Sequence, residues 1–239
     1  MKINIVRPTD GWVLQEIAEG WKLPNSKCST LPDVNADVNI WVNYAMFKSA
    51  GKMRKTKCDI GWFTHREEGP LGEVFDNVAR SMDWCIAMSR NTWERLPKKK
   101  VTVIHTAPRF RSSPIKIGVV GREYPRKRGH LMSKVTSDVP RVCISFTNGN
   151  VDESNMEEFY RSMDYILVLS SLEGGPMCVP EAMALGKPVI APNVGWCWDY
   201  PVIRYGSEDD LIRVLRKLTP PTIEEESGQI MRVIKEVVK

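Results

Sequence analysis

The chain has 239 residues, of which 42% are hydrophobic and 26% charged, and a formal net charge of +5. That is enough apolar material for one large domain or two small ones, and it excludes a disordered chain or a fibre. The mild excess of base is compatible with phosphate-bearing ligands or nucleic acid. No stretch reaches the ~18 apolar residues of a membrane span, and the apolar run before Pro8 is too short for a signal peptide. The expectation is a soluble, cytoplasmic protein. Cys28, Cys58, Cys85, Cys143, Cys178 and Cys197 form no C-x-x-C and have no histidine at metal-ligand spacing. All six are expected to be reduced and structural.

In chain order, residues 2–6, 38–42, 60–64, 84–88 and 101–105 read as strands, with helices at 11–21, 72–82 and 91–96 between them. Residues 107–114 carry prolines and no period, and are the linker candidate. The alternation then resumes: strand 115–120, a basic loop, strand 141–146, helix 156–162 and strand 165–169. Helix 180–185, strand 188–191, a short strand near 202–205 and helix 208–217 follow. Pro220-Pro221 breaks the chain before a last amphipathic helix, which opens with Thr222-x-x-Glu225, a capping-box pattern. Strands alternating with helices predict a parallel α/β fold with domains at 1–112 and 113–218 and a C-terminal helical segment, 219–239. Open α/β sheets bind ligands at the carboxyl ends of their strands. The expected site is therefore a cleft between two such sheets, lined by residues that follow strands.

The richest stretch begins Ser170-Ser171-Leu172-Glu173-Gly174-Gly175-Pro176-Met177-Cys178-Val179-Pro180-Glu181. It reads as a strand end, a glycine loop and a helix start. Gly174 and Gly175 let the backbone approach a ligand and take conformations closed to other residues. Pro180 suits the first turn of a helix, whose free N–H groups and partial positive charge suit phosphate. Glu173 and Glu181 can then face one cleft. Basic clusters at 52–57, 98–100, 109–111 and 126–128 add cations; the first two read as solvated loops.

Glu173, seven residues, Glu181, then Ala182-Met183-Ala184-Leu185-Gly186-Lys187-Pro188-Val189-Ile190-Ala191 resembles the signature of the retaining glycosyltransferases of family 4, or group 1. These have the GT-B fold, two Rossmann-like domains facing a cleft. Gly121-Arg122 with Lys127-Arg128-Gly129 is similar to that family's diphosphate-gripping loop, with Lys127 or Arg128 in the lysine's place. Residues 159–170 resemble its strand into the glutamate loop. More loosely, Asp83 to Ser89 and residues 103–107 resemble strands of its N-terminal domain, and His65 ends a strand where family members have a histidine on the donor sugar. His105 and His130 read as structural. The family has paired glycines after its first strand; this chain has Gly11 and then Trp12, the acceptor-side candidates, on an N-terminal domain that is short for the family.

The resemblance implies a nucleotide-sugar co-substrate, no cofactor and no metal, since no D-x-D occurs. Arg122, Lys127 or Arg128, and the amides around Gly174–Met177 (Gly174, Gly175 and Met177, with Pro176 shaping the loop), would stabilise the leaving diphosphate. Glu181 would hold the ribose and Glu173 the sugar hydroxyls or the developing oxocarbenium ion, without a glycosidase's covalent intermediate. A UDP- or GDP-sugar is expected as donor. The acceptor could be a saccharide, lipid, protein or modified DNA. The last helix would cross back to the first domain. Two alternatives stay open: a non-catalytic nucleotide-sugar-binding protein, and a DNA-modifying glycosyltransferase acting on a hydroxylated base. The second draws on the basic clusters and on Trp12, Trp21, Trp196 and Trp198, although these tryptophans are read first as core or cleft walls.

Overall fold

The computed structural model describes residues 1–11, 13–50, 56–97, 100–108 and 113–239. They fall into two units, Met1–Arg111 with Pro221–Lys239, and Ser112–Pro220.

In the first unit, strands β1 (Ile3–Val6), β2 (Ser26–Ser29), β3 (Val38–Trp41), β4 (Asp59–Phe63), β5 (Trp84–Ala87) and β6 (Val101–Val103) form one parallel sheet. The order is β2-β1-β3-β4-β5-β6. Side chains alternate across a strand, so Ile3, Ile5, Ile40, Ile60 and Trp62 build one apolar layer while Trp41 and Phe63 join Phe75, Val78 and Met82 in the other. The connecting helices are α1 (Val13–Gly20), α2 (Tyr44–Ala50), α3 (Pro70–Ser81) and α4 (Arg90–Arg95). Between strands, Asn4 and Asn39 are wholly buried, and Asn4 Nδ2 donates to Asn39 Oδ1 at 2.9 Å. Such a pair survives burial because its partners are satisfied.

In the second unit, β7 (Ile115–Val119), β8 (Val142–Phe146), β9 (Tyr165–Leu167), β10 (Val189–Ala191) and β11 (Ile203–Arg204) form a parallel sheet of order β11-β10-β9-β7-β8. Renumbered from its own first strand, this is the order of the first sheet less its last strand. Helices α5 (His130–Asp138) and α8 (Glu208–Leu218) supply Leu131, Val135, Leu211 and Leu215 to one layer. Helices α6 (Met156–Ser162) and α7 (Cys178–Ala184) supply Tyr160, Val179 and Ala182 to the other. Each unit is thus a doubly wound, Rossmann-like α/β layer.

The last helix, α9 (Ile223–Val237), opens with the expected capping box between Thr222 and Glu225, and its Ile230, Val233 and Ile234 lie in the core of the first unit. Glu226 is buried there, accepting from Trp21 Nε1 at 3.0 Å and from the Ala107 amide at 2.8 Å. Burial holds its carboxyl above the usual range despite those two bonds.

Several sequence expectations shift. β2 carries no strand signal in the sequence because its residues are half exposed and not apolar; it joins the edge through main-chain pairing with β1. The expected basic loop contains α5, whose buried face is only Leu131 and Val135. α2 was also missed. α1 begins at Val13, after Gly11 at φ 73; β6 stops at Val103 and β9 at Leu167, and α7 starts at Cys178 instead of Pro180. Trp12, residues 109–112 of the linker with the whole third basic cluster, and parts of the first two clusters lie outside the described residues. Cys28 and Cys143 are exposed free thiols, whereas the other four cysteines are buried.

Candidate functional site

In the second sheet the strand order reverses between β7 and β9. Connections leave toward opposite faces at such a switch point and open a crevice beyond the strands. A cavity of about 610 Å³ lies there, lined by Val120, Gly121 and Lys127 after β7, Met177 and Glu181 after β9, and Tyr160 of α6. Ligand pockets commonly span ~300–1,000 Å³.

The connection after β7 turns at Gly121, whose φ of 127 favours glycine, and then winds Pro125–Lys127 into one turn of 3-10 helix. Arg128 follows in the left-handed region at φ 48. This turn sends Lys127 into the cavity and Arg128 the other way: Arg128 Nε donates to Leu169 O at 2.6 Å and Nη2 to Tyr205 at 3.3 Å. The sequence left those two cations interchangeable; only Lys127 lines the cavity. Arg122 lies outside the cavity lining, exposed and packed over Gly149.

Three donors converge on one oxygen of Glu173. Arg126 Nη1 donates to Oε1 at 2.9 Å and Ser170 Oγ at 2.7 Å, and Lys127 is ion-paired with the same atom. Burial pushes this carboxyl up, but the bonds from Lys127 and Ser170 and the charges of Lys127 and Arg126 outweigh it and hold it below the usual range. With its side chain 11% exposed, Glu173 is a charged, oriented group. Glu181, in the first turn of α7, accepts from the Tyr160 hydroxyl at 2.5 Å. Burial, then that bond, raises the Tyr160 pKa, so the phenol keeps its proton.

The glycines act differently from expectation. Neither Gly174 nor Gly175 has positive φ. A Cβ on Gly175 would meet the Trp196 ring at 2.4 Å, whereas one on Gly174 would meet nothing within 4 Å. Gly175 therefore admits Trp196. Trp21 is buried, but Trp196 and Trp198 are 41% and 62% exposed, with the Arg204 guanidinium 5.7 Å from the Trp198 ring, so those two are not core.

In the first unit, His65 follows β4 and is exposed; its Nδ1 meets Thr64 Oγ1 at 3.1 Å and its Nε2 meets Glu67 at 2.8 Å. The Gly11 amide donates to Gln15 Oε1 at 3.0 Å. Arg126, Ser170 and Tyr160 were not singled out from the sequence. Ser170 and Arg126 stood in quoted motifs, but Tyr160 reaches Glu181 only through the fold.

A family model described as "Glycosyl transferases group 1" matches residues 84–215. No curated protein sequence matches the chain. Among solved structures, a mutant of TarM of S. aureus, in complex with fondaparinux, α-GlcNAc-glycerol and UDP, is 14% identical with a TM-score of 0.37. That match covers 95% of this chain and 55% of TarM, so the chain spans little more than half the length of that relative. HepE of Anabaena, in complex with UDP and glucose, is 12% identical over 99% of this chain and 98% of its own, with a TM-score of 0.37. Sucrose-phosphate synthase of Thermosynechococcus elongatus is 12% identical over 85% and 71%, with a TM-score of 0.41. No helix among the described residues is long and apolar enough to cross a membrane. The family model spans more than half of the chain, the glutamate loop included, and the protein belongs to the group 1 glycosyl transferases.

Proposed function

We propose that the second unit binds a nucleoside diphosphate sugar, UDP- or GDP-linked, in the 610 Å³ cavity, and that the chain transfers the sugar to an acceptor hydroxyl with retention and without a metal ion. The observation that carries this reading is Lys127, which lines the cavity with Glu181 while ion-paired to Glu173. As the anomeric C–O bond to the diphosphate breaks, Lys127 neutralises the charge growing on phosphate, helped by the amides of Gly174, Gly175 and Met177; Arg122, outside the cavity lining, is not given that role. Glu181 accepts from the ribose hydroxyls. Glu173 faces the sugar, where its fixed negative charge stabilises the oxocarbenium-like centre. The acceptor oxygen bonds to the anomeric carbon on the face the diphosphate leaves, and the departing phosphate oxygen takes the acceptor's proton. His65 is assigned to the donor sugar, and Gly11 with Trp12 to the acceptor side.

The test is a thermal-shift and hydrolysis screen against UDP-, GDP-, ADP- and TDP-sugars, with Glu181→Ala in parallel. One nucleotide class should stabilise the protein and release sugar slowly, and the variant should lose both. Stabilisation by none of them sinks the donor reading; stabilisation without turnover leaves a nucleotide-sugar-binding protein.

A second reading concerns the acceptor alone. Exposed Trp196 and Trp198, with Arg204 against Trp198, favour stacking on an extruded base, hence a hydroxylated base of DNA as acceptor. Loss of transfer with rising salt on polymer acceptors supports it; a salt-insensitive rate removes it.

A further inference from the structure

We propose that Tyr160 is a positioning residue of the donor site, its hydroxyl setting the rotamer of Glu181 so that one carboxylate oxygen is presented to the nucleoside ribose. This rests on the donor reading above.

Glu181 is an exposed side chain on the first turn of α7, and the Tyr160 hydroxyl is its only side-chain partner among the described residues. An exposed glutamate without that partner samples many rotamers, and a ligand that needs one of them must order it first. Tyr160 is the opposite kind of group. Its ring is 2% exposed and packed in the cluster of Ile166, Val179 and Ala182, with the Phe159 ring edge-on at 6.1 Å. Close packing locks both of its side-chain torsions, so the direction of its O–H is set by the core of the second unit. That O–H ends on Glu181 Oε2 at the cavity wall. The phenol keeps its proton, because burial and the neighbouring carboxylate both oppose its loss. The hydroxyl therefore donates, Oε2 accepts, and Oε1 remains for a second donor. A ribose offers two vicinal hydroxyls, and each can donate to a carboxylate oxygen. A bond that merely tied α6 to α7 would contribute to stability and leave ligand selectivity alone. A positioning bond acts on selectivity for the hydroxyl that Glu181 receives.

The experiment measures calorimetric binding of UDP, GDP and their 2′-deoxy forms to the full chain, with melting temperatures alongside. Wild type should prefer the ribonucleotide by about 10-fold, the worth of one hydrogen bond to a charged group. Tyr160→Phe keeps the ring packing. It should weaken ribonucleotide binding by about 10-fold and narrow the ribo-to-deoxyribo ratio, with little change in melting temperature. Tyr160→Phe with Glu181→Gln should bind no more weakly than Glu181→Gln alone, the non-additivity of two groups acting as one. Glu181→Asp withdraws the carboxylate without touching the core. It should narrow the ratio in the same way, which keeps the test open if Tyr160→Phe fails to fold. Wild-type affinity and wild-type ratio in Tyr160→Phe overturn the proposal and leave the donor reading standing. So does an equal loss for ribo and deoxyribo ligands with a lower melting temperature. If wild type binds none of the four nucleotides, the donor reading falls and takes this one with it.

Discussion

At the switch point of the first sheet, between β1 and β3, Arg7 turns back to Glu19 of α1 at 2.7 Å and to the carbonyl of Pro8 at 2.9 Å. At the switch point of the second, between β7 and β9, Arg126 and Lys127 reach across to Glu173 on the opposite loop. After β4 of the first unit the ion pairs stay close in sequence: His65 with Glu67 and Arg66 with Asp76. The pairs of Arg126 and Lys127 with Glu173 join loops far apart in the chain. Topology supplies a crevice to each sheet, but the loop residues decide whether opposite charges are gathered around it. A ligand phosphate could compete for Lys127 in the second unit, where the same atom serves the cavity and the carboxylate.

The sharpest break of this contrast is Lys127→Ala against Arg7→Ala. Losing Lys127 should lower kcat/KM for sugar transfer or hydrolysis by about 10²–10³-fold. Arg7→Ala should leave the nucleotide Kd within about 2-fold, since its partners are Glu19 and Pro8. Equal losses in the two variants would erase the distinction between the units. Next in size, Glu226→Ala strips partners from the Trp21 indole and the Ala107 amide, and should cost the first unit about 1–3 kcal/mol in urea denaturation. Nucleotide affinity in the folded variant should be unchanged.

Gly175→Ala forces a methyl into the Trp196 ring and should cost about 1–3 kcal/mol, whereas Gly174→Ala should be within about 0.5 kcal/mol of wild type. Similar costs for both would mean that the loop is governed by backbone conformation instead of Trp196. His65→Ala should lower the sugar-transfer rate by about 10-fold with the nucleotide Kd unchanged, the signature of a contact to the sugar alone.

The smallest effects come from pH. Glu226 is raised, so the folded state holds its proton more tightly than the unfolded chain does. Its stabilising contribution is complete below the unfolded value of about 4.3 and is lost as pH rises through the folded value. Glu173 is lowered, so its contribution is present above the unfolded value and lost as pH falls through the folded one. Urea midpoints followed from about pH 3 to 8 should therefore separate two variants. Glu226→Gln should flatten the decline toward neutral pH, and Glu173→Gln the decline toward acid. The reverse assignment would refute these burial and pairing arguments.

Much of this was legible in the residues. Buried parallel strands such as Val38–Trp41 announce themselves as apolar runs, and the capping box of Thr222 and Glu225 marks a helix start without any tertiary help. The glutamate loop was legible because its chemistry sits within one short stretch. What stayed hidden depends on contacts distant in sequence. Ser26–Ser29 became a strand only because β1 offered it a ladder. Lys127 and Arg128 are adjacent cations that diverge because Arg128 takes a left-handed φ of 48. Gly175 reads as a ligand-facing glycine, but Trp196, far along the chain, packs against it.

The return of α9 to the first unit bears on how the molecule is made. Along the chain, all of Ser112–Pro220 precedes Ile230, Val233 and Ile234. The second sheet can close its core while the first, although synthesised earlier, still lacks one wall. The first unit therefore cannot complete its core from N-terminal residues alone, as an N-terminal domain that folds first would. A protein truncated before residue 223 should keep a finished second unit and expose the apolar face of the first that α9 covers.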